Sequence, residues 1–247
     1  MAESPAQTLW LSLRASAFWI VFAASTIVFS ILVVAARMLP EQIPFWLVTR
    51  WGRLNVAALK VICGLGYRVE GLEHIGNEPS IVLAKHQSTW ETLALLFLLP
   101  PQVWVLKREL LRVPFFGWGL AAMQPIAIDR KAGRSAVEQV ISQGRERLDR
   151  GKWVVIFPEG TRTLPGTRVR YKLGGARLAA ATGRPVVPIA HNAGLFWPRH
   201  QFIKRPGTIT VRIGPRVDSV GRSSESINTE VEAWIETQMV DLERRYR

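Results

Sequence analysis

The chain has 247 residues, and its 32 Lys and Arg against 19 Asp and Glu give a formal net charge of +13. Its single cysteine excludes an intramolecular disulfide and a cysteine-based zinc site. The charge attracts nucleic acid, anionic lipid headgroups or acidic substrates, but the sequence has no zinc-finger spacing or RNP-type motif, and its ten tryptophans favour a membrane interface. We therefore expect membrane lipid, and no nucleic acid, among its partners.

The first predicted element is an apolar segment, residues 15–36, that contains no charged residue and lies between Arg14 and Arg37. A helix of this length is roughly 33 Å long, enough to cross a hydrocarbon core of about 30 Å. A cleaved signal peptide is less consistent with it, because the apolar part of such peptides is only about 7–15 residues long. The segment predicts a membrane helix that either crosses the bilayer or enters one leaflet. The alternative of a helix buried in the protein remains open.

The second predicted element is a helix over residues 44–63 that mixes Trp46 and Trp51 with Arg50 and Arg53. Tryptophan and basic residues on one amphipathic helix suit the plane of a membrane surface. An ordinary helix that faces the core of the protein fits the same pattern, and the sequence leaves both readings open.

Basic residues are more numerous after the apolar segment than before it, where Glu3 and Arg14 are the charged residues. The positive-inside tendency then puts the C-terminal side of this segment in the cytoplasm. We predict a membrane-associated helical segment over residues 1–65 and a second domain over residues 66–247 on the cytoplasmic face.

In the second domain, short apolar runs alternate with helical patterns, and glycine or proline follows several of the helices. This alternation predicts an α/β domain with a mostly parallel sheet flanked by helices, preceded by the N-terminal hydrophobic membrane-anchoring segment. The predicted strands are residues 67–70, 80–85, 103–107, 125–129, 152–157, 186–190 and 208–213, and the predicted helices include 135–150, 173–182 and the segment from about 224.

A histidine and a carboxylate form the first candidate site, at the end of the strand predicted over residues 80–85. His86 and Glu91 are five positions apart and would not face each other on one continuous helix. They meet if His86 precedes the helix and Glu91 lies in its first turn, with Ser88 as N-cap of a capping box. A histidine held by a carboxylate is a general base for an attacking hydroxyl. Alone, this short spacing more often means only a helix cap and a histidine at a strand end.

The second candidate site is the run Pro-Glu-Gly-Thr-Arg that follows the apolar strand at residues 153–157. Ligands of open α/β sheets bind beyond the carboxyl ends of the strands, where this loop should lie. Gly160 permits a tight turn, and Arg162 offers paired donors that match a phosphate, with Thr161 adding to the cradle. A surface turn in which Arg162 pairs with Glu159 is the alternative.

A third stretch carries four cations, Lys107, Arg108, Arg112 and Arg130, around an aromatic turn. Such residues could bind a phosphate or attract acidic substrates, although a solvated run of charges is the more common meaning. Both interpretations remain for Lys107 and Arg130, and solvation is favoured for Arg112. No cluster of ligands predicts a metal site.

Together these blocks resemble the four motifs of the glycerolipid acyltransferase family, which includes the 1-acyl-sn-glycerol-3-phosphate acyltransferases. The resemblance covers roughly residues 80–190, and its most specific element is Phe-Pro-Glu-Gly-Thr-Arg. The family usually has aspartate at the position of Glu91, which leaves the carboxylate but lengthens its side chain. The resemblance implies His86 as catalytic base, Glu91 as its partner, Arg130 and residues 159–162 as acceptor-binding residues, and residues 187–189 as the fourth motif.

The resemblance implies that a fatty acyl group passes from an acyl thioester, acyl-CoA or acyl-carrier protein, to the hydroxyl of a lysophospholipid such as 1-acyl-glycerol-3-phosphate, forming phosphatidic acid. The thioester is a co-substrate, and no cofactor or metal is expected. Three alternatives remain open: another acceptor such as glycerol 3-phosphate or a lyso-amino-acid lipid, a membrane phosphatase or esterase, and a lipid-binding protein without enzymatic activity.

Overall fold

The protein is described by a computed structural model that covers residues 4–129 and 132–244. It begins with two helices, α1 (Pro5–Ala35) and α2 (Gln42–Cys63). Helix α1 starts ten residues before the predicted apolar segment, because Ser4 and Gln7 form a reciprocal capping box and proline occupies the first turn. Helix α2 ends at Gly64, whose φ of 67° is left-handed.

The two N-terminal helices pack antiparallel. Arg14 near the start of α1 donates to the carbonyl of Ile62 near the end of α2. Ser25, farther along α1, exchanges hydrogen bonds of 3.1 and 3.3 Å with Asn55, nearer the start of α2. The connection over residues 36–41 is short, as is usual between antiparallel neighbours.

Within the described residues, one sheet of seven strands forms the centre of the second part of the chain. Its order is β1-β7-β6-β2-β5-β3-β4, and every pair of neighbours is parallel except β6 and β7. The predicted mostly parallel sheet is therefore confirmed, and each predicted strand end lies within two residues of the observed one. The strands are β1 (Leu65–Glu70), β2 (Ile81–Ala84), β3 (Gln102–Lys107), β4 (Ile126–Ile128), β5 (Trp153–Ile156), β6 (Val186–His191) and β7 (Gly207–Ile213).

Helices cover both faces of this sheet. Alternate residues of β2 enter different cores, since Val82 packs with α2 and α3 while Leu83 packs with α5, α6 and α8. Strands buried on both faces read as continuous apolar runs, which explains the sequence of β2 and β5. The remaining helices are α3 (Trp90–Leu98), α4 (Phe116–Ala122), α5 (Arg134–Asp149), α6 (Gly174–Thr182), α7 (Ala193–Phe196) and α8 (Ser224–Arg244).

Helix α1 is the one segment of the described residues that is long and apolar enough to cross a membrane, and 22% of its most apolar window is buried. Many of its large apolar side chains, such as Ile20 at 70% exposure, face outward. The helix nevertheless contacts the α/β part along its side, because Trp19 Nε1 donates to the carbonyl of Phe202 at 3.3 Å. A mostly unburied apolar surface of this size indicates membrane association. The boundary between residues 65 and 66 stays a prediction.

Candidate active site

Two loops meet at the carboxyl edge of the sheet, where β2 and β5 lie side by side. Leu83 pairs with Ile156 near the end of both strands. The loop after β2, residues 85–89, and the loop after β5, residues 157–163, therefore leave the sheet next to each other. The apolar strands thus bring the first two candidate motifs together, although they are more than seventy positions apart in the chain.

His86 and Glu91 form the pair that the spacing predicted. His86 Nδ1 lies 2.8 Å from Glu91 Oε1. The carboxylate is acceptor-only, so the imidazole donates its Nδ1 proton to Glu91, and Nε2 is the basic nitrogen of the ring. The side chain of His86 is 14% exposed while that of Glu91 is fully buried. The arrangement is a buried carboxylate behind a histidine that reaches the surface.

The same carboxylate oxygen shapes the turn before α3. Glu91 Oε1 also accepts from the backbone N–H of Gln87 at 3.0 Å and of Ser88 at 2.8 Å. The bond to Ser88 is one half of the predicted capping box, but the other half is absent from these residues. Ser88 Oγ accepts instead from the N–H of Trp90, and Thr89 is the N-cap residue, so the prediction of Ser88 as N-cap is wrong.

Glu91 is ionised by its surroundings. Burial alone would raise the pKa of Glu91, but the imidazoles of His191 and His86 and the guanidinium of Arg162 outweigh it and lower the net pKa below its usual range. His191 is buried, with Nε2 3.9 Å from Glu91 Oε2. Its Nε2–H donates to the carbonyl of Lys85, and its Nδ1 accepts from the N–H of Ala193. Burial lowers the pKa of His191, although the carboxylate of Glu91 acts in the opposite direction.

The imidazole of His86 is oriented by an aromatic ring as well as by the carboxylate. It stacks on Phe157 with ring centroids 3.8 Å apart and planes 10° apart. Phe157 in turn packs against Trp104 of β3. The last residue before the Pro-Glu-Gly-Thr-Arg run therefore forms one wall of the site, a role that the sequence did not indicate.

Three contacts connect the two loops directly. Arg162 Nε donates to the carbonyl of Ser88 at 2.6 Å, and Thr163 donates to the carbonyl of His86 from both its backbone and its hydroxyl. The backbone N–H of His86 donates to Glu159 Oε1 at 3.3 Å. His86 and Arg162 thus belong to one connected site, and the alternative in which Arg162 pairs with Glu159 does not occur.

The side chain of Glu159 is buried beside Lys85. It is 4% exposed, and its Oε1 is 3.3 Å from the buried Nζ of Lys85. Burial raises the pKa of Glu159 to about 7, although Lys85 acts in the opposite direction. That Glu159 binds the acceptor stays a prediction: its Oε1 is held by Lys85 and by the backbone N–H of His86, so this oxygen supports the histidine loop.

Gly160 and Thr161 form the tip of the second loop. Gly160 has a left-handed φ of 71°, a backbone conformation that favours glycine, and a Cβ there would come within 2.7 Å of the flexible end of the Lys172 side chain. Thr161 is exposed, and its hydroxyl accepts from Arg199 at 3.4 Å. Arg199 also donates to the carbonyl of Arg162 at 3.1 Å, which brings a second guanidinium to this loop.

The two remaining predicted cations have different outcomes. Lys107 ends β3 on the same edge of the sheet, is 47% exposed and forms an ion pair of 3.1 Å with Glu109. It is therefore at the rim of the site and already partnered. Arg130 lies outside the described residues. Among the residues that are described, no group of three or more His, Cys, Asp or Glu is arranged to hold a metal ion.

Several side chains around the site were missed because nothing in their local sequence marks them. Lys85 is the last residue of a predicted strand, and Arg199 lies outside every predicted element. Glu236 and Glu243 lie far along the chain on the last helix, whose apolar periodicity predicted packing alone. No motif identifies these residues, since they meet the site only through the tertiary fold.

Residues 66–192 match the family model described as Acyltransferase. The chain is 43% identical over 236 residues to the 1-acyl-sn-glycerol-3-phosphate acyltransferase of Pseudomonas aeruginosa, covering 94% of this chain and 92% of that protein. It is 31% identical to the Saccharomyces cerevisiae protein of the same name, covering 74% of this chain and 61% of that protein. Among solved structures, the 1-acyl-sn-glycerophosphate acyltransferase of Thermotoga maritima covers 97% of both chains with a TM-score of 0.78 and 23% identity, a likeness of fold.

Proposed function

The chain belongs to the acyltransferase family, and on this premise we propose that it transfers a fatty acyl group from an acyl thioester to the free hydroxyl of 1-acyl-glycerol-3-phosphate, giving phosphatidic acid. The observation that carries the proposal is the connected pair of loops in which the His86–Glu91 pair and Arg162 open onto one edge of the sheet. An acceptor that carries both a hydroxyl and a phosphate requires a base and a phosphate-binding side chain close to each other.

In the proposed reaction, His86 Nε2 removes the proton of the acceptor hydroxyl while Nδ1–H remains bonded to Glu91. The alkoxide oxygen attacks the thioester carbon, and the tetrahedral intermediate expels the thiolate. The imidazolium then gives its proton to the leaving thiolate, so the histidine returns to its starting state. The buried carboxylate of Glu91 stabilises the imidazolium between these two transfers, and backbone N–H groups at the strand ends stabilise the oxyanion.

Arg162 is proposed to hold the acceptor phosphate, with Arg199 as a second cation. Burial lowers the pKa of Arg162, and the like charge of Arg199 acts in the same direction. Two neighbouring guanidinium groups repel each other until an anion lies between them, so a phosphate binding here gains from both. Lys107 at the rim, and Arg130 outside the described residues, remain further candidates for this role.

The membrane helices are proposed to lie against one face of the bilayer with the site on the cytoplasmic side. Contacts between α1 and the α/β part extend from Phe18, whose ring packs against Trp197, to Ser30, which a Cβ on Gly119 would touch at 3.0 Å. Phe18 and Ser30 are roughly 18 Å apart along the helix. A helix attached along this length keeps its outer apolar face for lipid, which favours insertion into one leaflet over a free crossing.

The test is acyl transfer by purified protein in phospholipid vesicles with labelled acyl donor and lysophosphatidic acid. Formation of labelled phosphatidic acid supports the proposal, and His86→Ala should reduce turnover by about 10²–10⁴-fold with unchanged folding. A panel with glycerol 3-phosphate and a lyso-amino-acid lipid identifies the acceptor, and parallel reactions with acyl-CoA and acyl-carrier protein identify the donor. Release of phosphate or free fatty acid without an acceptor would indicate a phosphatase or esterase, and lipid binding without transfer would indicate a binding protein.

A further inference from the structure

The last helix, α8, contacts the candidate site through two acidic side chains. Glu236 and Glu243 are seven positions apart and therefore lie on the same face of the helix. Glu236 Oε1 accepts from Lys85 Nζ at 2.8 Å, and Glu243 Oε1 accepts from Gln87 Nε2 at 3.0 Å. Lys85 and Gln87 are the two chain neighbours of His86, so α8 binds the residue on each side of the histidine.

The same two carboxylates bind the segment that follows the second loop. Glu243 Oε2 accepts from the backbone N–H of Gly166 at 2.7 Å, and Glu236 Oε1 accepts from the hydroxyl of Tyr171 at 2.8 Å. Each glutamate therefore connects the loop after β2 to the segment after β5. The relative position of the two loops depends on α8 as well as on their direct contacts.

These contacts are too buried to be incidental surface pairs. Lys85 and Gln87 are each 1% exposed, and Glu243 is 7% exposed. Helix α8 already has an apolar face, with Ile227, Val231 and Ile235 buried in the core, so its attachment to the domain does not need acidic residues. Burying a carboxylate is unfavourable unless donors compensate it, which makes these two glutamates unusual choices for packing alone.

We propose that α8 is part of the catalytic apparatus: Glu236 and Glu243 are positioning residues that hold Lys85 and Gln87 and thereby fix the direction of the His86 imidazole. This inference rests on the proposed acyl transfer for its kinetic consequences, but the positioning itself is a property of the structure. Gly194 supports it, because a Cβ at this residue would come within 2.9 Å of the Gln87 side chain, so glycine leaves the space that the Gln87 amide occupies.

Glu243 meets two donors, the amide NH₂ of Gln87 and the N–H of Gly166, one at each oxygen. A glutamine at 243 has one acceptor oxygen, so its own NH₂ must face one of these donors. Glu243→Gln should therefore lower kcat about 10- to 100-fold by displacing the histidine loop, with a smaller change in the KM of the acceptor. At Glu236 both donors share one oxygen, so Glu236→Gln retains both bonds and should have a smaller effect.

The decisive variant exchanges the two side chains. In Gln87→Glu combined with Glu243→Gln, the new amide donates to the carboxylate at 87 while its oxygen accepts from Gly166, so both hydrogen bonds are restored at unchanged net charge. Gln87→Glu alone places two carboxylates about 3 Å apart and should inactivate. We expect the double variant to recover at least half of the lost kcat on a logarithmic scale. The matched control is Glu230→Gln on α8, whose carboxylate pairs with Arg222.

The measurements are kcat and KM for acyl transfer, circular dichroism and thermal unfolding of each variant, and ¹⁵N shifts of the histidine rings, of which the chain has four. The ring shifts report the Nδ1–H tautomer of His86 without any reaction. The inference is overturned if Glu243→Gln keeps kcat within twofold and leaves the His86 shifts unchanged, or if the double variant is no better than the worse single variant. If the wild-type protein shows no transfer, the proposed function fails while the ring shifts still test the positioning.

Discussion

Replacing Glu91 by glutamine separates the charge of the buried carboxylate from its shape. Glu91 Oε1 accepts from three N–H groups, those of His86 Nδ1, Gln87 and Ser88. Glu91→Gln keeps an oxygen for them, whereas Glu91→Ala would leave three buried donors without a partner. The charge disappears in both variants, but the turn before α3 should survive in the glutamine variant alone.

The expected size of the effect follows from these contacts. A hydrogen bond to a charged group contributes about 1.5–3 kcal/mol, and 1.4 kcal/mol corresponds to about tenfold in rate. The carboxylate's charge is needed most when the imidazole is protonated, midway through the reaction. We therefore expect Glu91→Gln to reduce kcat about 10- to 150-fold. Glu91→Ala adds about 1–3 kcal/mol for each buried donor left unsatisfied, so it should also destabilise the fold.

The assay is steady-state acyl transfer in vesicles, paired with thermal unfolding of each variant in the same lipid. Glu91→Asp is the matched control, because it keeps the charge but shortens the side chain and should fall between the wild type and Glu91→Gln. If Glu91→Gln retained wild-type kcat while remaining folded, the carboxylate would serve the turn alone and the general-base reasoning would be refuted.

Arg162→Ala should raise the acceptor KM about 10- to 150-fold, because it removes charge-assisted bonds to the phosphate. Arg199 is exposed, so Arg199→Ala should raise the acceptor KM less than about fivefold. Equal KM values in both variants would contradict the assignment. Burial raises the pKa of Glu159 from 4.5 to about 7, so the folded protein binds this proton more tightly than the unfolded chain does. The free energy of unfolding should therefore fall by about 3 kcal/mol as the pH rises from 4.5 to about 7. Urea unfolding of Glu159→Gln in micelles should lack this pH-dependent decrease. Ile20→Asp should weaken vesicle binding at least about tenfold in a flotation assay. The control is Val220→Asp, which changes a similarly exposed apolar residue in the segment ahead of α8 and should leave vesicle binding unchanged.

Local residue patterns were sufficient for most of the framework. Apolar runs at strand length predicted the strands, because a strand buried on both faces needs little beyond continuous apolar side chains. The spacing of His86 and Glu91 predicted their contact, because residues five positions apart can meet when the first lies in a loop and the second lies in the first turn of the following helix. These features depend on neighbours in the chain and can therefore be predicted from the sequence.

The chain by itself therefore determined the parallel sheet, the long apolar N-terminal helix and the two loops that carry His86 and Arg162. Tertiary structure alone decided that Glu159 turns inward to Lys85, that Phe157 stacks on the imidazole, and that α8 reaches both neighbours of His86. A side chain's direction at a strand end depends on which buried donors lie opposite it, and those donors come from segments far away in sequence. No local pattern predicts such a contact, because its favourable free energy arises only after the elements have packed.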